Sequence, residues 1–210
     1  MPGRFITIEG GEGAGKSTQT RLLADWLARA GLPVLRSREP GGAPGAEALR
    51  RLLLSGEDDF SPAAETLLHF AARADHADRS IRPALAAGMW VICDRFFDST
   101  MAYQGYAQGA NCADIAALSA MLALTPDLTI VLDLPVATTV QRLSQRGGHA
   151  DRYERLGPEF FADAAAGFRR IALKNPERCF IVNAKKDIYN IAHEIIAAVR
   201  AKFPHDLPCR

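Results

Sequence analysis

The sequence is sparing with cysteine, nearly free of net charge and without a long apolar run, and each shortage removes a class of protein. Its four cysteines, Cys93, Cys112, Cys179 and Cys209, form no C-x-x-C pair and lie near no histidine at metal-ligand spacing. Reduced thiols in a cytoplasmic protein are therefore expected, not a disulfide framework or a zinc site. Lys+Arg 25 against Asp+Glu 24 leaves a net charge of +1. No global field then draws the chain to nucleic acid or to a membrane, and any phosphate must be met by basic residues placed locally. No apolar stretch is long enough to cross a bilayer. Glycines 10, 11, 13 and 15 interrupt any early apolar run, so no secretory signal is expected. Internal repeats and low-complexity tracts are absent as well.

What remains is ordinary globular composition, 48% hydrophobic and 23% charged over 210 residues. That length fits one α/β domain, 1–210, with a sizeable core. Apolar runs at 4–8, 34–37, 89–93, 128–132 and 180–182 read as strands. Helical patterning is expected at 16–30, 46–54, 62–87 (in two pieces), 114–123, 136–146, 158–175 and 188–202. Gly31 and Pro33 close the first helix, and Ser61-Pro62 supplies a cap and first-turn pair for the third. The tail 204–210 is expected to fray. Uniformly apolar strands alternating with helices predict a parallel sheet covered on both faces, a three-layer α/β/α fold.

Between the first strand and the first helix lies Gly10-Gly11-Glu12-Gly13-Ala14-Gly15-Lys16-Ser17, which fits G-x-x-x-x-G-K-[ST] without mismatch. Glycines let successive backbone N–H groups turn inward on phosphate oxygens. The helix N-terminus adds partial positive charge. Lys16 places a point charge on the β and γ phosphates, and Ser17 offers a hydroxyl to Mg²⁺. Thr18 either binds the α phosphate or simply opens the helix.

Such a loop serves switches, motors and kinases alike. A guanine switch would carry N-K-x-D, and Asn183-Ala184-Lys185-Lys186-Asp187 has the wrong spacing. The chain is short for a motor. It has instead a surplus of loop arginines: Arg38, Arg73, Arg95, Arg142, Arg146 and Arg152. Bringing two polyanions together needs several cations around one point, and arginines on mobile segments provide them. The residues alone leave open a kinase for one of several pyrimidine nucleoside monophosphates and a non-catalytic P-loop nucleotide switch.

Further strings narrow the choice. Arg38-Glu39-Pro40-Gly41-Gly42, Phe70-Ala71-Ala72-Arg73, Asp94-Arg95, Ser99-Thr100-Met101-Ala102-Tyr103-Gln104 and Pro126-Asp127-Leu128-Thr129, together with the phosphate loop, resemble the bacterial thymidylate kinases in order and over nearly the whole chain. The resemblance implies a P-loop NTPase fold with strand order 2-3-1-4-5, and transfer from ATP, with Mg²⁺, to dTMP, giving dTDP. It also implies a homodimer, an acceptor-binding region at about 38–110 and a lid at about 143–157.

By the same resemblance, Gly10, Gly11, Glu12, Gly13, Ala14, Gly15, Lys16, Ser17, Thr18 and Arg142 bind ATP. Ser17 and Asp94 hold the metal. Lys16, Asp94, Arg95, Arg146 and Arg152 serve catalysis. Arg38, Arg95, Ser99, Tyr103 and Gln104 belong to the acceptor site. Phe70 stacks on the thymine, and Arg73, three residues on and on the same helix face, donates to a base carbonyl. Glu12 turns to the sugar 3′-hydroxyl while Tyr103 crowds the 2′ position. The Glu39–Pro40 peptide is expected to be cis. Bacterial relatives often carry an extra lid arginine between the positions of Arg142 and Arg146, where Ser144 stands here.

Overall fold

The computed structural model describes residues 3–56, 59–146 and 152–207, Arg146 by its backbone only. Five parallel strands form one sheet in the order β2-β3-β1-β4-β5, as the resemblance implied. They are β1 (Arg4–Gly10), β2 (Val34–Arg38), β3 (Trp90–Asp94), β4 (Leu128–Asp133) and β5 (Cys179–Asn183). Around them run α1 (Lys16–Arg29), α2 (Pro44–Ser55), α3 (Pro62–His76), α4 (Arg82–Ala86), α5 (Phe97–Thr100), α6 (Cys112–Met121), α7 (Val136–Arg146), α8 (Gly157–Lys174) and α9 (Ile188–Lys202).

Alternation along the strands splits the core between the two faces of the sheet. Ile6 and Ile8 of β1 meet Leu23, Leu27, Ile191 and Ile195 from α1 and α9. Phe5 and Val91 point the other way, onto Ile81 and Phe96. The two threonines buried at the sheet centre, Thr7 and Thr129, satisfy each other across strands at 2.9 Å. Ser61 caps α3 by accepting from the Ala64 N–H, with Pro62 in the first turn.

Two departures from the sequence pattern matter for the site. The helix expected at 62–87 in two pieces runs on through a π-helical turn, Ala77–Ile81, into α4. The wider turn accommodates Pro83, which has no N–H to continue an α-helical ladder. No element was expected at 97–107, yet α5 passes directly into a π-helical segment, Met101–Ala107. β1 also extends past residue 8, so that Glu9 and Gly10 are strand residues.

Candidate functional site

The strand ends fix the floor. β1 lies between β3 and β4, so the loop leaving it opens where the chain's winding reverses, the usual ligand crevice of a parallel α/β sheet. Gly15, in the left-handed region at φ 92, is the N-cap of α1. Its conformation favours glycine, and α1 carries no acidic residue in its first turn to cancel the helix's positive end.

Lys16 is buried and its Nζ donates to the Gly11 carbonyl at 2.7 Å. Burial, and then the nearby Arg95 charge, push its pKa below the ordinary lysine value, against the pull of Glu12 and Asp94. Ser17 Oγ donates to Asp94 Oδ2 at 2.6 Å. A hydroxyl and a carboxylate meeting beside a phosphate loop form the oxygen donor set that suits Mg²⁺, whose other ligands come from phosphates and water. Among the described residues no group of three or more metal-binding side chains gathers.

Arg95 follows Asp94 in a left-handed backbone conformation, φ 69. For a long side chain this is a strained state, held by its surroundings. Its guanidinium pairs with Glu12, lies 4.9 Å from the Tyr103 ring centroid and donates to Ser99 Oγ at 3.2 Å. Glu12 also accepts from the Tyr103 hydroxyl at 3.0 Å. Burial would raise its carboxyl, but Arg95 and Lys16 hold it down at about 2. Beneath them Glu9 accepts from the Phe96 N–H at 2.7 Å and from Ser99 Oγ at 2.5 Å. Complete burial, with Asp98 nearby, pushes Glu9 up to about 8.

The opposite wall is buried and polar. Arg73 Nε donates to Glu39 Oε2 at 2.6 Å, and its Nη2 donates to the Phe96 carbonyl and Thr100 Oγ1. Glu39 also accepts from His76, and the Glu39–Pro40 peptide is cis. Arg38 pairs with Glu47 of α2, and Arg50 donates to the Pro40 carbonyl at 2.7 Å.

A second buried carboxylate, Glu65, joins α3 to two other segments. Gln104 Nε2 and the Tyr153 hydroxyl each donate to its Oε1 at 2.7 Å, and Arg152 pairs with its Oε2 at 3.0 Å. Since the Tyr153 proton goes to Glu65, His69 Nε2, 2.7 Å from the same hydroxyl oxygen, is the donor in that bond. Burial first, then the surrounding arginines, hold His69 neutral with a pKa of about 3.

These groups border a cleft of about 490 Å³. Of the residues expected from the sequence, Glu12, Gly13, Gly15, Lys16, Ser17, Thr18, Arg38, Arg73, Asp94, Arg95, Ser99, Tyr103, Gln104 and Arg142 all line it. Arg142 bridges the loop to β5's exit by donating to the Gly13 and Ala184 carbonyls, both at 3.0 Å. Gly10, Gly11 and Ala14 belong to the loop without lining the cleft.

Phe70 is not brought to the lining. It is buried against Ile115 and Leu122, with the Arg73 guanidinium 4.8 Å from its ring centroid. Arg152 also sits off the lining, on Glu65 and Asp59. The Arg146 side chain and lid residues 147–151 lie outside the described residues, as does Cys209.

Sequence reasoning missed Glu9, Glu39, Arg50, Glu65, His69, Thr100 and Tyr153. For α3 a signal existed: Glu65, His69, Arg73 and His76 recur at helical spacing, and all four are buried. A polar stripe where an apolar one is expected marks a polar interior.

A phosphate loop at the winding reversal, facing a second wall of buried cations, is how a nucleotide phosphotransferase of the P-loop NTPase fold is built, and known proteins agree. The family model described as "Thymidylate kinase" matches residues 8–195. A thymidylate kinase of Afipia carboxidovorans is 48% identical, covering 99% of this chain and 93% of the relative. One of Caulobacter vibrioides is 51% identical, covering 89% and 90%. The crystal structure of thymidylate kinase from Ehrlichia chaffeensis superposes with a TM-score of 0.78 at 34% identity, covering 95% of this chain and 99% of that one. The chain belongs to the thymidylate kinase family.

Proposed function

We propose that the chain transfers the γ-phosphoryl group of ATP to dTMP, giving ADP and dTDP, as a single domain with its lid at about 143–157 and its acceptor region at about 38–110. The observation that carries the reading is Arg73. Its Nη1 is buried and has no hydrogen-bond partner among the described residues, although the side chain lines the cleft. Leaving such a donor unmet costs about 1–3 kcal/mol, which a carbonyl of a bound base would relieve.

On this reading Lys16 and the loop amides take the ATP phosphates, Arg142 flanks the nucleotide, and Arg95 and Arg38 meet the acceptor phosphate. Ser17 and Asp94 would hold Mg²⁺, which when bound neutralises phosphate charge. Arg146 closes with the lid onto the transferring group. Arg152 joins it only on leaving Glu65. Ionised Glu12, turned to Tyr103 and Arg95, can accept from the sugar 3′-hydroxyl while Tyr103 fills the 2′ side. Phe70 serves the base through Arg73, which it flanks, or by turning its ring. No strong general base is required, because the acceptor phosphate has a second pKa of about 6. Positioning and charge stabilisation carry the catalysis.

A homodimer is part of the proposal. The sequence of α6, CADIAALSAM, is mostly apolar, yet Ile115 is its one buried residue and Met121 is 74% exposed. A helix apolar all round is a buried helix, and a second copy would bury it. We place the enzyme in the cytoplasm, in keeping with the free thiols of Cys93, Cys112 and Cys179. No described helix is long and apolar enough to cross a membrane. The test is ADP formation with dTMP, dUMP, UMP and dCMP as acceptors. Preference for dTMP is expected, and slow ADP release indifferent to the acceptor would instead favour a nucleotide switch.

A further inference from the structure

A chain of four buried or half-buried side chains runs from the sheet edge to the cleft. Ser37 Oγ on β2 lies 2.7 Å from His76 Nε2. His76 Nδ1 lies 3.0 Å from Glu39 Oε1, and Glu39 Oε2 is 2.6 Å from Arg73 Nε. His76 is fully buried, and Arg73 and Glu39 are nearly so.

A carboxylate only accepts, so His76 Nδ1 carries a hydrogen and donates it to Glu39. At the other end of the ring Nε2 meets the Ser37 hydroxyl. The corner is closed by Gly42, in the left-handed region at φ 84. A Cβ there would sit 2.4 Å from His76 Nε2 and 2.5 Å from Ser37 Oγ. Only a glycine therefore leaves room for the His76–Ser37 contact, and Glu39 is held at both oxygens.

The consequence reaches the ligand. Glu39, the Phe96 carbonyl and Thr100 occupy Nε and Nη2 of Arg73 and hold the guanidinium plane, leaving Nη1 as its one uncommitted nitrogen. A donor fixed in direction selects a carbonyl over an amino group at one position of the base, because an amino group there presents hydrogens to hydrogens.

We propose that His76 is a positioning residue for base selection: by donating from Nδ1 to Glu39 while Ser37 holds its Nε2 end, it fixes the Arg73 donor that tells a 4-oxo pyrimidine from a 4-amino one. This rests on the reading of dTMP as acceptor and deepens it.

Asparagine and glutamine separate the two ends of the imidazole. The Asn amide falls near the Nδ1 position and can still donate to Glu39, whereas the Gln amide falls near Nε2 and reaches only Ser37. His76→Gln should raise KM for dTMP roughly tenfold, the scale of a lost charge-assisted hydrogen bond, and narrow the preference for dTMP over dCMP. KM for ATP should stay near the wild-type value. His76→Asn should recover most of the loss.

Equal effects of the two variants on both substrates, with lowered thermal stability, would mean a merely structural histidine and overturn the proposal. So would an unchanged dTMP/dCMP ratio in His76→Gln. A wild-type enzyme without preference for dTMP would instead sink the functional reading itself. Independently of any variant, nitrogen-15 spectra of the histidine-labelled full chain should show a hydrogen on His76 Nδ1, and a ring protonated at Nε2 alone would also overturn the proposal.

Discussion

The floor of the cleft and its acceptor wall are built by opposite means. The floor is local: eight consecutive residues, from the last residue of β1 into the first turn of α1, supply glycines, a lysine and a hydroxyl, and one further residue, Asp94 on the neighbouring strand, completes it. The wall is assembled from afar. Arg73 reaches Glu39 across 34 positions of sequence, and Tyr153 reaches Glu65 across 88. A backbone-built phosphate site needs a string that can be recognised on its own. A side-chain-built base site needs only that several elements present compatible groups, and its carboxylates, Glu39 and Glu65, are fully enclosed by donors. On the proposed function, the floor is general to phosphate and the wall carries the selection.

That contrast can be broken in several places. The largest expected effect is at the lid. Arg146→Ala should lower kcat by about a thousandfold or more, as loss of an arginine finger does, with KM for dTMP nearly unmoved. Arg152→Ala should cost less, because Arg152 is engaged with Glu65 and Asp59. Equal, mild losses on measuring kcat for Arg142→Ala, Arg146→Ala and Arg152→Ala side by side would remove the finger from Arg146.

Next comes the floor. Lys16→Ala should keep a normal circular dichroism spectrum and lose roughly two orders of magnitude in kcat, the scale of one transition-state contact. Near-normal turnover would dismiss the loop as the catalytic cradle. On the wall, Arg73→Ala should weaken dTMP by about 1.5–3 kcal/mol and hardly touch KM for ATP. Loss on the ATP side would show that floor and wall are not separable.

The smallest effect lies beneath both. Glu9 titrates at about 8 in the fold against 4.5 ordinarily, so between those values the folded chain holds a proton that the unfolded chain has released. Stability from this group is full below the lower value and falls as pH rises toward the upper one. Glu9→Gln should therefore gain Tm relative to the parent between about pH 5 and about pH 8. A pH-independent difference in Tm would mean that Glu9 is ionised in the fold.

Legibility in the sequence follows the same division. The helix at 136–146 and the loop residues came from periodicity and contiguous motifs, and the strand order only from the family resemblance those motifs carry. The turn Arg38-Glu39-Pro40 was recognisable as a string, but the role of Glu39 was not, because its partners Arg73 and His76 belong to another element. Residues 97–107 escaped because their pattern mixes polar site groups with apolar ones. In the π-helical segment Tyr103 and Gln104 line the cleft, Tyr103 with its ring also in the core beside Ala102. The motif did not tell how Phe70 packs: its ring lies on Ile115 and Leu122 while Arg73, three residues on, lines the cleft.

The most direct test of a general floor and a selective wall is to titrate dTMP calorimetrically into the Lys16→Ala and Arg73→Ala chains. Arg73→Ala should lose about tenfold or more in dTMP affinity, and Lys16→Ala should bind dTMP within a few-fold of the parent. Loss of dTMP binding in Lys16→Ala with retention in Arg73→Ala would contradict the account.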